Sequence, residues 1–165
     1  PDAGMGVARM VGHITYLSAP ALDDRFGRRL QFADDVRYTI SDPEFEVENY
    51  LRHQANSFVR RFDANTYLYL SRALTYFDLA HQHGGGSLAR ALDDVSARTL
   101  LIAFSSDWLY PPAGSKDIED ALRAIGKPVE FHVIEAPYGH DCFLLEEAQQ
   151  TPIIRRFLAE AATDG

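Results

Sequence analysis

Absences set the first limits on this chain. One cysteine, Cys142, in 165 residues leaves no partner for an internal disulfide and fits a reducing, cytoplasmic setting. Long apolar runs are missing: stretches such as Thr99–Phe104 fall far short of the roughly 20 residues that a membrane-spanning helix needs. Basic residues are outnumbered, 16 Lys and Arg against 24 Asp and Glu, for a net charge of -8. That balance argues against nucleic acid or an anionic membrane as the main partner, because both select clustered cations. It leaves room for a local basic pocket. No Gly-x-Ser-x-Gly pentapeptide occurs in the sequence. The opening residues, Pro1-Asp2-Ala3-Gly4, carry neither a methionine start nor a signal-peptide pattern, as expected of a cut chain.

What is present is ordinary soluble composition, 46% hydrophobic and 24% charged, in a length that suits one domain with a real core. The first half reads as helices. Ala8–Leu17 and Ala21–Leu30 are short helical candidates, and Ser41-Asp42-Pro43-Glu44 reads as a start signal for a third. Behind it Val47, Tyr50, Leu51, Ala55, Phe58 and Phe62 recur at steps of three and four, one apolar helix face, with Arg60 and Arg61 complementing the dipole at its end. Asp63 or Asn65 caps a further helix that carries Tyr67, Leu70, Leu74 and Phe77, a face suited to a core or a subunit interface.

His81-Gln82-His83-Gly84-Gly85-Gly86-Ser87 reads as a flexible loop before a short helix at Leu88–Leu92. It places an internal boundary between residues 1–86 and 87–165. Its glycines lack the spacing of a nucleotide loop, and His81 and His83 find no third metal ligand in the pattern. Beyond it the character changes to strand Thr99–Phe104, helix Gly114–Ile125 ended by Gly126, strand Val129–Ile134 and a closing helix Cys142–Ala161 with a kink expected near Pro152. A βαβα order implies parallel neighbouring strands covered by helices. Two strands make a poor sheet alone, so an open edge is expected.

Each strand leads into a chemically loaded turn. Ser105-Ser106-Asp107-Trp108-Leu109-Tyr110-Pro111-Pro112 follows the first, and Tyr138-Gly139-His140-Asp141 follows the second. These are the carboxyl ends of strands, where open α/β sheets build sites. Asp107 is a candidate acid that orients a histidine, or alternatively a loop aspartate capping the next helix. His140 is a candidate general base, or a histidine that merely packs at a helix start. Asp followed by His is the order of an α/β-hydrolase triad downstream of its serine. Asp141 suits an ammonium-bearing substrate, or acts as a dipole-favoured acid in a first helical turn. Cys142 lies too close to His140 on the same turn to attack under its control.

The segments Arg9-Met10-Val11-Gly12-His13-Ile14-Thr15-Tyr16-Leu17-Ser18, Phe45-Glu46-Val47-Glu48-Asn49-Tyr50-Leu51, Phe62-Asp63-Ala64-Asn65-Thr66-Tyr67 and Leu74-Thr75-Tyr76-Phe77-Asp78 resemble, in order, the helical lid of homoserine O-acetyltransferases. Ser106-Asp107-Trp108-Leu109-Tyr110-Pro111 and Gly139-His140-Asp141 continue the resemblance through nearly the whole chain. The resemblance implies a partial α/β-hydrolase fold: a helical lid over residues 1–86, then two parallel strands with flanking helices over 87–165. It implies ping-pong transfer of an acetyl group from acetyl-CoA to L-homoserine in methionine biosynthesis, with no permanently bound cofactor and no metal. Asp107 and His140 would be the triad acid and base, and Arg9, Tyr16 and Asp141 would line the homoserine pocket. Read without the resemblance, Arg9 is a helix-surface cation and Tyr16 is lid packing. The resemblance also implies a homodimer through the lid helices. With no serine elbow, the 165 residues alone are expected to be inactive. A succinyl donor, an esterase using the same triad, and a non-catalytic lid or dimerisation module are the alternatives.

Overall fold

A computed structural model describes residues 1–163. The chain forms two compact units, Pro1–Thr75 and a second beginning at Tyr76.

The first unit contains α1 (Asp2–Tyr16), α2 (Ala19–Arg25), α3 (Glu46–Val59) and all but the last residue of α4 (Ala64–Tyr76). Helix α1 packs on α3. The two approach closely at Gly6, where an added Cβ would sit 3.4 Å from that of Ala55. Met5, Leu17, Phe26, Ala55 and Phe58 are the buried apolar residues. Tyr50 ties the face together: its hydroxyl meets His13 Nδ1 at 3.0 Å, its ring lies 5.0 Å from that of Phe26, and the Arg25 guanidinium stacks over it at 4.7 Å.

Boundaries in this unit differ from expectation for local reasons. Helix α1 starts six residues earlier than the Ala8 of the sequence reading. Helix α2 starts at Ala19, capped by the Ser18 hydroxyl, which accepts from Ala21 N, and ends at Arg25 before Gly27 turns left-handed at φ 49°. Ser41-Asp42-Pro43-Glu44 does not start α3. An antiparallel bridge between Leu30 and Phe45 holds Phe45 extended, so the helix begins at Glu46. Its cap comes from inside: the Glu48 carboxylate accepts from the amides of Glu44 and Phe45 at 2.8 and 2.9 Å. Asp63 caps α4 by accepting from Thr66 N at 2.9 Å.

The second unit contains α5 (Leu79–Gly84), α6 (Leu88–Ala91), β1 (Thr99–Phe104), α7 (Pro112–Ala124), β2 (Val129–Ile134), α8 (Cys142–Leu145) and α9 (Glu147–Thr163). The expected loop at His81–Gly84 is instead helical: Asp78 caps α5 through His81 N, and left-handed Gly85 ends it. Both strands fall where the apolar runs predicted them and pair in parallel, Thr99 opposite Val129 through Phe104 opposite Ile134. Helix α7 packs on both strands, and α9 on β1. Phe104, Ile134, Ala136 and Cys142 form the core, with Ile102 and Ile153 against them.

The single closing helix is two helices. The chain turns as a 3-10 segment at Gly139–Asp141, runs through α8, breaks at Glu146 (ψ 43°) and restarts as α9. The interruption precedes Pro152 by more than a turn. Pro152 then sits in the second turn of a new helix, where its missing N–H forfeits one bond, to Ala148, rather than disrupting a long ladder.

Opposite the strands' carboxyl ends, a charge network joins β2 to α9. Arg98 bonds Glu130 and Glu160, and Arg156 bonds the same two carboxylates. The Arg156 and Arg98 guanidiniums hold the Glu130 carboxyl at about 2, below the usual 4.5. Among the described residues no helix is long and apolar enough to cross a membrane.

Candidate active site

Strand pairing ends with Ser105 N donating to Ile134 O at 3.0 Å, and two turns leave the sheet side by side. The first turn is closed by Asp107. Its amide donates back to Phe104 O, and its Oδ1 accepts from the amides of Leu109 and Tyr110 at 3.0 and 2.9 Å. With Oδ1 fixed this way, Oδ2 is aimed across the gap and lies 2.8 Å from His140 Nδ1. Asp107 is 6% exposed. Its capping bonds serve its own loop, while α7 starts independently at Pro112 behind Pro111.

The second turn presents His140. Gly139, buried, takes φ 77°, a left-handed conformation that suits glycine and lets the chain reverse immediately before the histidine. The imidazole lies between two aromatic rings, Tyr110 and Phe143, each with its centroid 5.1 Å away and inclined at 49°. Both rings are tilted neighbours of the imidazole whose Nδ1 the Asp107 carboxylate holds. Their part was not read from the sequence, although both stand within three residues of Asp107 or His140.

A carboxylate holding Nδ1 fixes the tautomer in which Nδ1 carries the proton and Nε2 is basic. Such a pair can accept a proton from a hydroxyl and stabilise the imidazolium that results.

Asp141 follows directly, half-buried. Its side chain makes no capping bond to α8, and no hydrogen bond or ion pair among the described residues. Cys142 is fully buried in the core; its Sγ lies 3.7 Å from Ser106 Oγ. Two serine hydroxyls join the turns: Ser105 Oγ accepts from Ala136 N at 3.3 Å and Ser106 Oγ from Gly139 N at 2.9 Å. The sequence placed both serines in the first turn without indicating what they hold.

Arg9 and Tyr16 belong to the first unit, on α1. Arg9 is half-buried, its guanidinium 5.2 Å over the Phe58 ring, and its Nε is buried without a hydrogen-bond partner. It is therefore more enclosed than a surface cation. Tyr16 closes α1 and is partly exposed. His81 and His83 lie on α5, and no group of three His, Cys, Asp or Glu among the described residues could hold a metal ion.

No protein-family model matches the chain. Curated relatives do. A homoserine O-acetyltransferase of Caulobacter vibrioides is 50% identical over 165 residues, covering 99% of this chain and 42% of the relative. One of Rhodopseudomonas palustris is 49% identical over 161 residues, covering 98% of this chain and 40% of the relative. One of Methanobrevibacter ruminantium is 47% identical over 164 residues, covering 99% of this chain and 33% of the relative. The chain thus spans about a third to two fifths of the length of these relatives. Among solved structures, esterase E22 aligns at a TM-score of 0.74 and 25% identity, covering 94% of this chain and 42% of the esterase. Homoserine O-acetyltransferase from Bacillus anthracis aligns at 0.75 and 23% identity, covering 90% of this chain and 39% of that one. The fold is that of part of an α/β-hydrolase, as the two turns had predicted.

Proposed function

The chain belongs to the homoserine O-acetyltransferase family, and from that membership we propose that it carries the acid and base of an enzyme moving an acetyl group from acetyl-CoA to the hydroxyl of L-homoserine, in methionine biosynthesis. The observation that carries this reading is the 2.8 Å contact of Asp107 Oδ2 with His140 Nδ1 at the carboxyl ends of two parallel strands.

With Nδ1 committed to Asp107, Nε2 does the proton work. It takes the proton of a serine hydroxyl as that oxygen attacks the thioester carbonyl. The serine comes from the part of the relatives' length that this chain does not span. The imidazolium, stabilised by Asp107, gives its proton to the departing sulfur of CoA. In the second half-reaction Nε2 takes the proton of the homoserine hydroxyl as its oxygen attacks the acyl-serine, and returns it to the serine.

Asp141 is the anchor for the substrate ammonium, a role supported by its unpaired, half-buried carboxylate. Arg9 is the anchor for the substrate carboxylate, supported by its enclosure and its unsatisfied Nε. Tyr16 is a further homoserine contact on the family resemblance alone. The donor is acetyl-CoA rather than succinyl-CoA, as the names of the relatives suggest. The working compartment is the cytoplasm, with neither nucleic acid nor membrane as partner. The protein acts as a homodimer through its lid helices, a reading that the exposed Leu68, Tyr69, Leu70 and Leu74 of α4 support.

The test is a donor competition at the full length of the relatives: O-acetylhomoserine should form from acetyl-CoA and homoserine in preference to the succinyl ester. Thioester loss that ignores homoserine would overturn the reading. The 165 residues alone, without a serine elbow, should consume no acetyl-CoA; enzyme-level turnover by them would contradict that part.

The likeness to an esterase supports a second reading, in which water takes the place of homoserine. The half-buried Asp141 carboxylate favours the transferase, because it can hold the ammonium of an amino-acid acceptor, a group that water lacks.

A further inference from the structure

We propose that Ser106 is a positioning residue for His140: its hydroxyl latches the histidine turn to the aspartate turn, one residue upstream of each. The sheet ends at the Ser105–Ile134 bond, so no strand pairing aligns the two turns beyond it. Cross-links between the turns include Ser105 Oγ to Ala136 N at 3.3 Å, Ser106 Oγ to Gly139 N at 2.9 Å, and Asp107 to His140 at 2.8 Å. The serine before the acid grips the glycine before the base.

That grip is anchored. Ser106 Oγ also meets the Cys142 thiol at 3.7 Å, and Cys142 is fully buried among Phe104, Ile134 and Ala136. The core thereby restrains the serine rotamer. Gly139 is buried and left-handed, so its N–H has a direction set by the turn and needs an acceptor there. Removing the hydroxyl leaves the N–H of buried Gly139 without its acceptor, and the turn must shift to find another. A shift of the backbone at Gly139 is passed to His140 directly. The Asp107 bond and the flanking rings then hold an imidazole whose base has moved.

This inference rests on the acyl-transfer reading for its kinetic arm alone. The experiment compares Ser106→Ala, Ser106→Thr and Ser105→Ala in protein of the relatives' full length, with two readouts: steady-state kinetics with homoserine, and the low-field proton resonance of the His140 Nδ1–H. Ser106→Ala should lower kcat by about 10- to 100-fold, the scale of an ångström-level misplacement, with KM for homoserine unchanged. The same variant should shift or broaden the His140 resonance. Ser106→Thr, which keeps the hydroxyl, should recover both, and Ser105→Ala, a longer bond farther from the histidine, should alter neither. An unchanged His140 resonance in Ser106→Ala overturns the proposal, as does an equal kcat loss in the two alanine variants. If Ser106→Ala does not fold, Ser106→Cys takes its place, exchanging a strong acceptor for a weak one at similar size, and is judged by the same resonance. A parent protein that transfers no acyl group, yet loses the His140 resonance on Ser106→Ala, would sink the acyl-transfer reading and leave the latch intact.

Discussion

Asp107 Oδ2 and His140 Nδ1 meet at 2.8 Å although 33 residues separate them in the chain. The contact exists because β1 and β2 are adjacent and parallel, so both carboxyl ends open onto one edge. Two amides hold the other carboxylate oxygen, which makes the aim of Oδ2 a property of the loop and not of the histidine.

Replacing that carboxylate by its amide tests the tautomer argument. Asp107→Asn keeps shape and both loop bonds within reach, but it can present an N–H to Nδ1 and force the wrong tautomer. At the relatives' full length, kcat should fall by about 10⁴-fold, the scale known for the equivalent change in a serine protease, with unfolding temperature little altered. A loss below tenfold would mean that Asp107 does not govern the imidazole.

Asp141→Ala separates the half-reactions. If Asp141 holds the homoserine ammonium, acyl-enzyme formation from acetyl-CoA should be untouched. KM for homoserine should then rise by about 10- to 100-fold, the worth of one charge-assisted hydrogen bond. Equal loss in both half-reactions, measured by a CoA burst and by discharge with homoserine, would refute the role.

The Glu130 network gives a pH-dependent prediction. Its folded-state carboxyl stands at about 2, below the usual 4.5, chiefly through Arg156 and then Arg98. A depressed acid contributes stability that is fully present above about 4.5 and disappears as pH falls through about 2. Glu130→Gln should therefore lower the unfolding temperature at neutral pH, and the gap to the parent should close across that window. A gap independent of pH would contradict the ion-pair account.

Gly84→Ala sets packing against propensity. In an exposed helix the change would stabilise by about 1 kcal/mol. Here the new Cβ would lie 2.8 Å from Ala91 N and 3.0 Å from Ala91 Cβ, so α5 and α6 must separate. Overpacking of this kind costs about 1–3 kcal/mol, and the net outcome expected is a lower unfolding temperature. A rise would show that α6 yields freely.

The sequence made some of this legible and hid the rest. Thr99–Phe104 and Val129–Ile134 were readable to the residue, because short runs rich in β-branched and aromatic residues and bounded by breaker residues read as strands. Asp107 and His140 were readable because they stand just beyond those runs. The start of α3 was not, since it is decided by a bridge between Leu30 and Phe45 that no local pattern announces. The helix at His81–Gly84 was hidden by its glycine-rich end, where the Asp78 cap outweighed the composition. Ser106 was in plain view as a residue. Its importance lies in which amide its hydroxyl meets, and that is fixed only when two turns from different strands come together.

The central claim, that the Asp107–His140 pair serves acyl transfer to homoserine, is tested most directly by the fate of the acyl-enzyme. Protein of the relatives' full length, mixed with acetyl-CoA and followed by intact-mass spectrometry, should gain one acetyl group and lose it rapidly on addition of homoserine, but slowly in water. In His140→Ala the adduct should not form. Discharge in water as fast as with homoserine, or an adduct that forms without His140, would contradict the account.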